Sequence, residues 1–122
     1  ENFIDLHTDK ELVWKYIYEL QRAIRLVIDT GIHAFNWSYD KCFNYMKKLL
    51  PNEGTEIKNE IYRYICDPGQ ALCYKIGELK LLELRGKYFK SYKEDYKGFH
   101  KLIMDVGPVP LDILEKEVMK LL

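Results

Sequence analysis

Apolar positions recur at helical spacing along almost the whole chain, and no stretch alternates apolar and polar residues as a half-buried strand would. The longest helical pattern runs from Glu11 to His33. Wound at about 100° per residue, Leu12, Val13, Trp14, Tyr16, Ile17, Leu20, Ala23, Ile24, Val27, Ile28 and Ile32 cover roughly 200° of the circumference, which predicts a mostly buried helix. Thr8 or Asp9 can cap it, with a start near Lys10 and Glu11 favourable in the first turn. Gly31 either ends this helix as a C-cap or lies inside it. If helix continues, Arg22, Arg25, Asp29 and His33 fall on one narrow strip. By spacing alone that strip is a solvent face, since Glu11 and Lys15 extend it and Arg25/Asp29 is an ordinary i,i+4 pair.

Further elements follow in order. Ser38 is the N-cap candidate of a second helix carrying Cys42, Phe43, Met46, Leu49 and Leu50, which Pro51 stops. A third helix starts from about Thr55, capped by that residue, turns Ile57, Ile61, Tyr64 and Ile65 inward, and ends at Asp67-Pro68. Asp67 then caps a fourth, with Pro68 in its first position and an end near Tyr88. Gln70, Tyr74, Gly77, Glu78 and Leu81 share one face of it. A glycine one turn after Tyr74 fits close approach by a ligand, or simple helix packing with Tyr74 in the core. Between 91 and 105 a short helix has Phe99, Leu102 and Ile103 on its apolar side and His100 on a solvated one. A closing helix after the stiff VGPVP connector turns Leu111, Leu114, Val118, Leu121 and Leu122 inward. The expected architecture is all-α, with five to six helices and the long N-terminal one packed against a bundle, in a single domain over 1–122.

Composition narrows the function classes. The 122 residues are 48% hydrophobic and 14% aromatic, enough to enclose a core. Nineteen Lys and Arg balance 19 Asp and Glu, so no whole-chain field recruits nucleic acid or an anionic membrane surface. Three cysteines without a CxxC or Cys/His cluster read as buried free thiols. No apolar run is long enough for a membrane span, and no signal-peptide pattern opens the chain. The first residue is Glu1 rather than Met, which fits a piece of something longer whose compartment, cytoplasmic or exported, depends on what precedes it.

The chemistry is that of donors without a nucleophile. HExxH, GxSxG, the P-loop and GxGxxG are all missing, and His7, His33 and His100 are too far apart in sequence for a self-contained zinc site. Arg22, Arg25, His33, Arg63 and Tyr74 can donate hydrogen bonds to a developing oxyanion or bind a carboxylate, and Asp29 can orient its neighbours. Such a set is an incomplete site.

The segments RAIRLVIDTGIHAFNWSYDKCFNYM, EIYRYICDPGQALCYKIGELKLLELR and FHKLIMDVGPVPLDILEKEV resemble the C-terminal part of the bacterial proteins grouped as domain of unknown function 885. The D-T-G-I-H, W-S, R-Y-x-x-x-P-G-Q-A-x-x-Y-K-I-G, F-H and G-P-x-P-L motifs carry the resemblance across nearly the whole chain. It implies a mostly helical zinc metallopeptidase of the thermolysin-like type, a hydrolase whose H-E-x-x-P-G-H helix lies upstream of this stretch and whose further glutamate ligand is either Glu1 or just before it. Glu1 is not counted as a metal ligand on this resemblance. The resemblance makes His33, Tyr74 and Arg63 the candidate catalytic residues and Arg25, Asp29 and Gln70 the substrate-binding or supporting ones, with no metal ligand in this chain and zinc in the full-length protein. On that reading the polar strip is one wall of a catalytic cleft. Asn36 stands where many relatives are expected to have glycine. Expected partners are the N-terminal portion of the same protein, a peptide substrate and a second copy meeting through exposed apolar surface. The alternative is a non-catalytic helical protein-interaction module.

Overall fold

The structure, a computed structural model, describes residues 8–51 and 54–122. Among them it is all-α, with six α-helices, one short 3-10 turn and no strand. Two compact units, residues 1–75 and 76–122, divide the chain.

In the first unit α1 spans Asp9–Phe35. Thr8 and Glu11 form a reciprocal capping box: Glu11 N donates to Thr8 Oγ1 at 3.3 Å and Thr8 N donates to Glu11 Oε2 at 3.0 Å. The helix passes through Gly31 and ends at Asn36, which is left-handed at φ 50°. That conformation suits Gly or Asn and explains an expected glycine at this position. Trp37 N donates to Gly31 O at 2.9 Å as the chain turns back, and the indole comes down on Gly31 itself. A Cβ there would lie 2.6 Å from Trp37 Cδ2.

Ser38 caps α2 (Tyr39–Leu49), and α3 follows as Gly54–Cys66. Thr55 therefore lies inside α3 rather than capping it, and the cap position falls outside the described residues. Ile24, Ile28, Met46, Ile57, Ile61 and Tyr64 make the core of this unit, with Cys42, Leu50 and Ala71. Each such large apolar side chain contributes on the order of 1.5–3 kcal/mol by burial.

The expectation of a mostly buried α1 holds only from Ile24 to Ile32. Before that stretch, Leu12, Val13, Trp14, Tyr16 and Leu20 are exposed. The reason is length: at about 1.5 Å per residue α1 is roughly 40 Å long, while α2 and α3 are each under about 20 Å and cover only part of it. Periodicity registers an apolar arc but not whether a partner reaches it. The thiols also differ from expectation: Cys42 is buried, and burial pushes its pKa up, whereas Cys66 and Cys73 are exposed.

The division between the units falls within α4 (Cys73–Tyr92). In the second unit Leu84 and Tyr88 of α4 pack with Phe99 of α5 (Tyr96–Val106) and Leu114 and Val118 of α6 (Leu111–Met119). Asp95 caps α5 by accepting from Gly98 N at 2.9 Å. His100 is exposed on α5, with its ring beside Phe99. Leu121 and Leu122 are exposed, not inward, because α6 ends at Met119. Among the described residues Gly77 meets nothing within 4 Å of where a Cβ would sit, so packing against them does not require glycine here.

Lys80, Glu83 and Lys87 of α4 and Glu115 of α6 form a four-member ion network with N–O distances of 2.6 to 3.1 Å. Hydrogen bonds from Lys87 and then Lys80 hold the Glu83 carboxyl down at about 2 and lower that of Glu115; the same bonds raise both lysines.

Two outcomes are expected. Gly31→Ala should destabilise the protein by about 1–3 kcal/mol because the indole blocks the new methyl, while Gly77→Ala should be neutral or slightly stabilising; urea titrations of both variants check this. Depressed folded carboxyl pKa values give stability that is present above the ordinary value of 4.5 and is lost as pH falls through the folded values. The thermal midpoint should thus fall on acidification from 4.5 toward 2, and Glu115→Gln should flatten that slope, as followed by circular dichroism.

Candidate functional site

The polar strip of α1 sits against the connector between α3 and α4. Asp67-Pro68-Gly69-Gln70 forms a type II turn: Gly69 has φ 85° and ψ −17°, and Gln70 N donates to Asp67 O at 3.3 Å. A 3-10 turn, Gln70–Leu72, leads from it into α4. The α-helix thus starts at Cys73, and Asp67 does not cap it. No local side chain caps the 3-10 turn either. Asp29, 40 residues away, instead binds the backbone of the cap residue itself, its two carboxylate oxygens lying 3.0 and 3.3 Å from the donating Gly69 N–H. Asp29 is only 2% exposed, and this charge-assisted bond offsets part of its desolvation.

One turn before Asp29, Arg25 Nη2 donates to Gln70 Oε1 at 3.0 Å. The guanidinium lies between two tyrosine rings, 4.8 Å from the centroid of Tyr74 and 5.7 Å from that of Tyr64. Arg25 Nε is buried and makes no hydrogen bond. One turn after Asp29, His33 Nε2 lies 3.0 Å from the Tyr64 carbonyl oxygen. A carbonyl only accepts, so the imidazole donates from Nε2 and satisfies one of the free carbonyls at the C-terminal end of α3. The His33 side chain is otherwise exposed.

Of the residues singled out by the sequence, Arg25, Asp29, Gln70 and Tyr74 are brought together, and His33 joins them through Tyr64. Arg22 is half-buried. Arg63 is 49% exposed and lies 3.7 Å from Glu60 on its own helix, apart from these contacts. Tyr64 and Gly69 are members that sequence reasoning missed. The Pro-Gly pair was the available signal for Gly69, and Tyr64 was visible only as a core position. The Tyr64 hydroxyl donates to Glu60 Oε2 at 2.7 Å, and its pKa is pushed up by burial first and by that bond second.

Among the described residues no three His, Cys, Asp or Glu side chains come together to hold a metal ion, and the Nε2 of His33 is already committed. This donor set does not fit zinc. Nor, among the described residues, is any helix long and apolar enough to cross a membrane.

Fold and site together define an all-α protein whose longest helix clamps a type II turn between two others. The chain belongs to the family described as bacterial protein of unknown function (DUF885), whose model matches residues 4–118. It is similar to the solved structure of the putative lipoprotein from Colwellia psychrerythraea, with 38% identity and a TM-score of 0.80 over 85% of this chain. The match spans 18% of that longer chain. No curated protein matches it.

The clamp should dominate the stability of the first unit. Asp29→Ala, which leaves Gly69 N–H without its acceptor, is expected to cost about 2–3 kcal/mol, and Asp29→Asn less. His33→Ala should cost only about 0.5–1.5 kcal/mol. Denaturant unfolding of the three variants gives the order.

Proposed function

We propose that this chain is the C-terminal helical part of a zinc-dependent peptidase, in which Tyr74 and Arg25 face the substrate while Asp29, Gln70 and His33 hold them in place. The observation that carries the reading is a tyrosine left 52% exposed while its ring rests 4.8 Å from a guanidinium fixed from behind by Gln70. A tyrosine needed only for packing gains most by full burial, as Tyr64 does. One that is pinned on one side and open on the other presents its hydroxyl in a defined place. There it can donate to a substrate carbonyl or to the oxyanion that develops from it. On this reading zinc is held by other parts of the longer protein, and no catalytic step is assigned to it here. Arg63, tied to Glu60 on the exposed side of α3, has no part in it.

A non-catalytic interaction module is the second reading, favoured by the exposed apolar residues Leu12, Val13, Trp14, Tyr16 and Leu20 in the first half of α1. Such a surface fits another copy of the chain or another part of the same protein.

The two readings separate in a peptide-hydrolysis assay of the full-length protein. The peptidase reading expects chelator-sensitive cleavage and a fall in kcat of about 10²–10³-fold in Tyr74→Phe, with an unchanged thermal midpoint. An unchanged kcat, or no cleavage of any peptide in a mixed library, would leave the module.

A further inference from the structure

We propose that a cavity between the first halves of α1 and α3 binds the cationic side chain of a peptide, an arginine or a lysine. This does not rest on the peptidase reading. The cavity measures about 700 Å³, within the usual range for ligand sites. Trp14, Tyr18 and Gln21 line it from α1, and Glu56, Asn59 and Glu60 from α3. Their spacings, i, i+4, i+7 and i, i+3, i+4, put each trio on one helix face.

The lining selects a ligand by charge and shape. Trp14 and Tyr18 are neighbouring rings, with centroids 6.2 Å apart, and form an aromatic wall over which a cation and its alkyl stem can lie. Opposite stand two carboxylates and the amide of Asn59, with Gln21 beside the rings. Glu60 receives the Tyr64 hydroxyl at 2.7 Å and has Arg63 at 3.7 Å, which offsets part of its charge, and Glu56 has an interaction of its own; each oxygen of Glu60 still has a second acceptor position. An anion would face both carboxylates. A purely apolar ligand would desolvate carboxylates and amides without pairing them. A guanidinium, with five donors in a planar fork, or an ammonium with three, matches the acceptors and the rings together. The volume also exceeds what a small free diamine fills and leaves room for the backbone on either side of a basic residue.

Isothermal titration of the intact protein tests the assignment, with N-acetyl-arginine amide, N-acetyl-lysine amide, the neutral isostere N-acetyl-citrulline amide, and putrescine as probes. The two cationic amides should bind, and the citrulline amide about tenfold more weakly or worse. Trp14→Ala and the double variant Glu56→Gln/Glu60→Gln should each weaken the arginine amide by at least about tenfold, the glutamine at 60 still accepting from Tyr64. Thermal midpoints confirm folding. Should the double variant melt early, the arginine-to-citrulline ratio on the unaltered protein decides alone. Equal binding of arginine and citrulline amides, or no binding of either cationic amide at about 10 mM, overturns the proposal. Tighter binding of putrescine than of both cationic amides overturns its peptide part.

Discussion

A single buried carboxylate organises the first half of this protein. Asp29 leaves water to receive one backbone N–H, that of Gly69, at the point where the chain turns from α3 into α4. A buried charge with a weak partner would be a liability of several kcal/mol, so its neighbourhood has to be exact about where that N–H lies. Only a residue free to take φ 85° presents it there, and only a helix that runs unbroken through Gly31 keeps Arg25, Asp29 and His33 on one line facing the connector. The Trp37 indole seated on Gly31 stabilises that continuity, and Asn36 closes the helix one turn later.

Local chemistry is what the sequence displayed most clearly. Thr8 with Glu11 and Ser38 at α2 are side-chain-to-backbone signals that work over three residues, and both appear where they were read. The errors arise where an interaction from far along the chain overrides a local one. Asp67-Pro68 has every mark of a helix start, yet Pro-Gly also has every mark of a type II turn. Asp29, 40 residues away, stabilises the turn and delays α4 to Cys73. Exposure was equally beyond a periodic pattern. Leu12, Trp14 and Tyr16 belong to the same wide arc as Ile24 and Ile28, but only the latter are packed into the core.

The candidate site was legible in part of its membership and not in its roles. Arg25, Asp29, Gln70 and Tyr74 do meet, because the α1 strip and the P-G-Q-A-L-C-Y segment face one another across the connector. Residue type suggested donors poised for a substrate. In the structure Asp29 and His33 have their hydrogen bonds engaged with backbone groups of Gly69 and Tyr64, and Arg25 with the side chain of Gln70. Tyr74 differs from them in that one face of its ring is pinned and much of its surface is open. Arg63 lies on the other side of α3 because its neighbours Ile61 and Tyr64 take the inward positions, and a helix cannot turn consecutive residues the same way.

Along α1 the use of side chains changes with distance from the clamp. Around residues 29–33 polar groups bind backbone and act as structure. At 25 a guanidinium binds side chains from another element and supports a half-open tyrosine. From 14 to 21 the same helix lines a cavity with rings and an amide, with Pro51 and α3 across the gap. The gradient follows from rigidity. A group whose geometry matters for recognition is best placed on an element already fixed elsewhere, since its orientation then costs no further ordering on binding. The helix is fixed at its C-terminal half, where the carboxylate and the indole hold it, and its N-terminal half extends from that anchor. The exposed residues Leu12, Val13, Trp14, Tyr16 and Tyr18 therefore lie on a surface whose backbone is set by contacts further along the same helix, which is what separates a prepared binding face from a merely uncovered one.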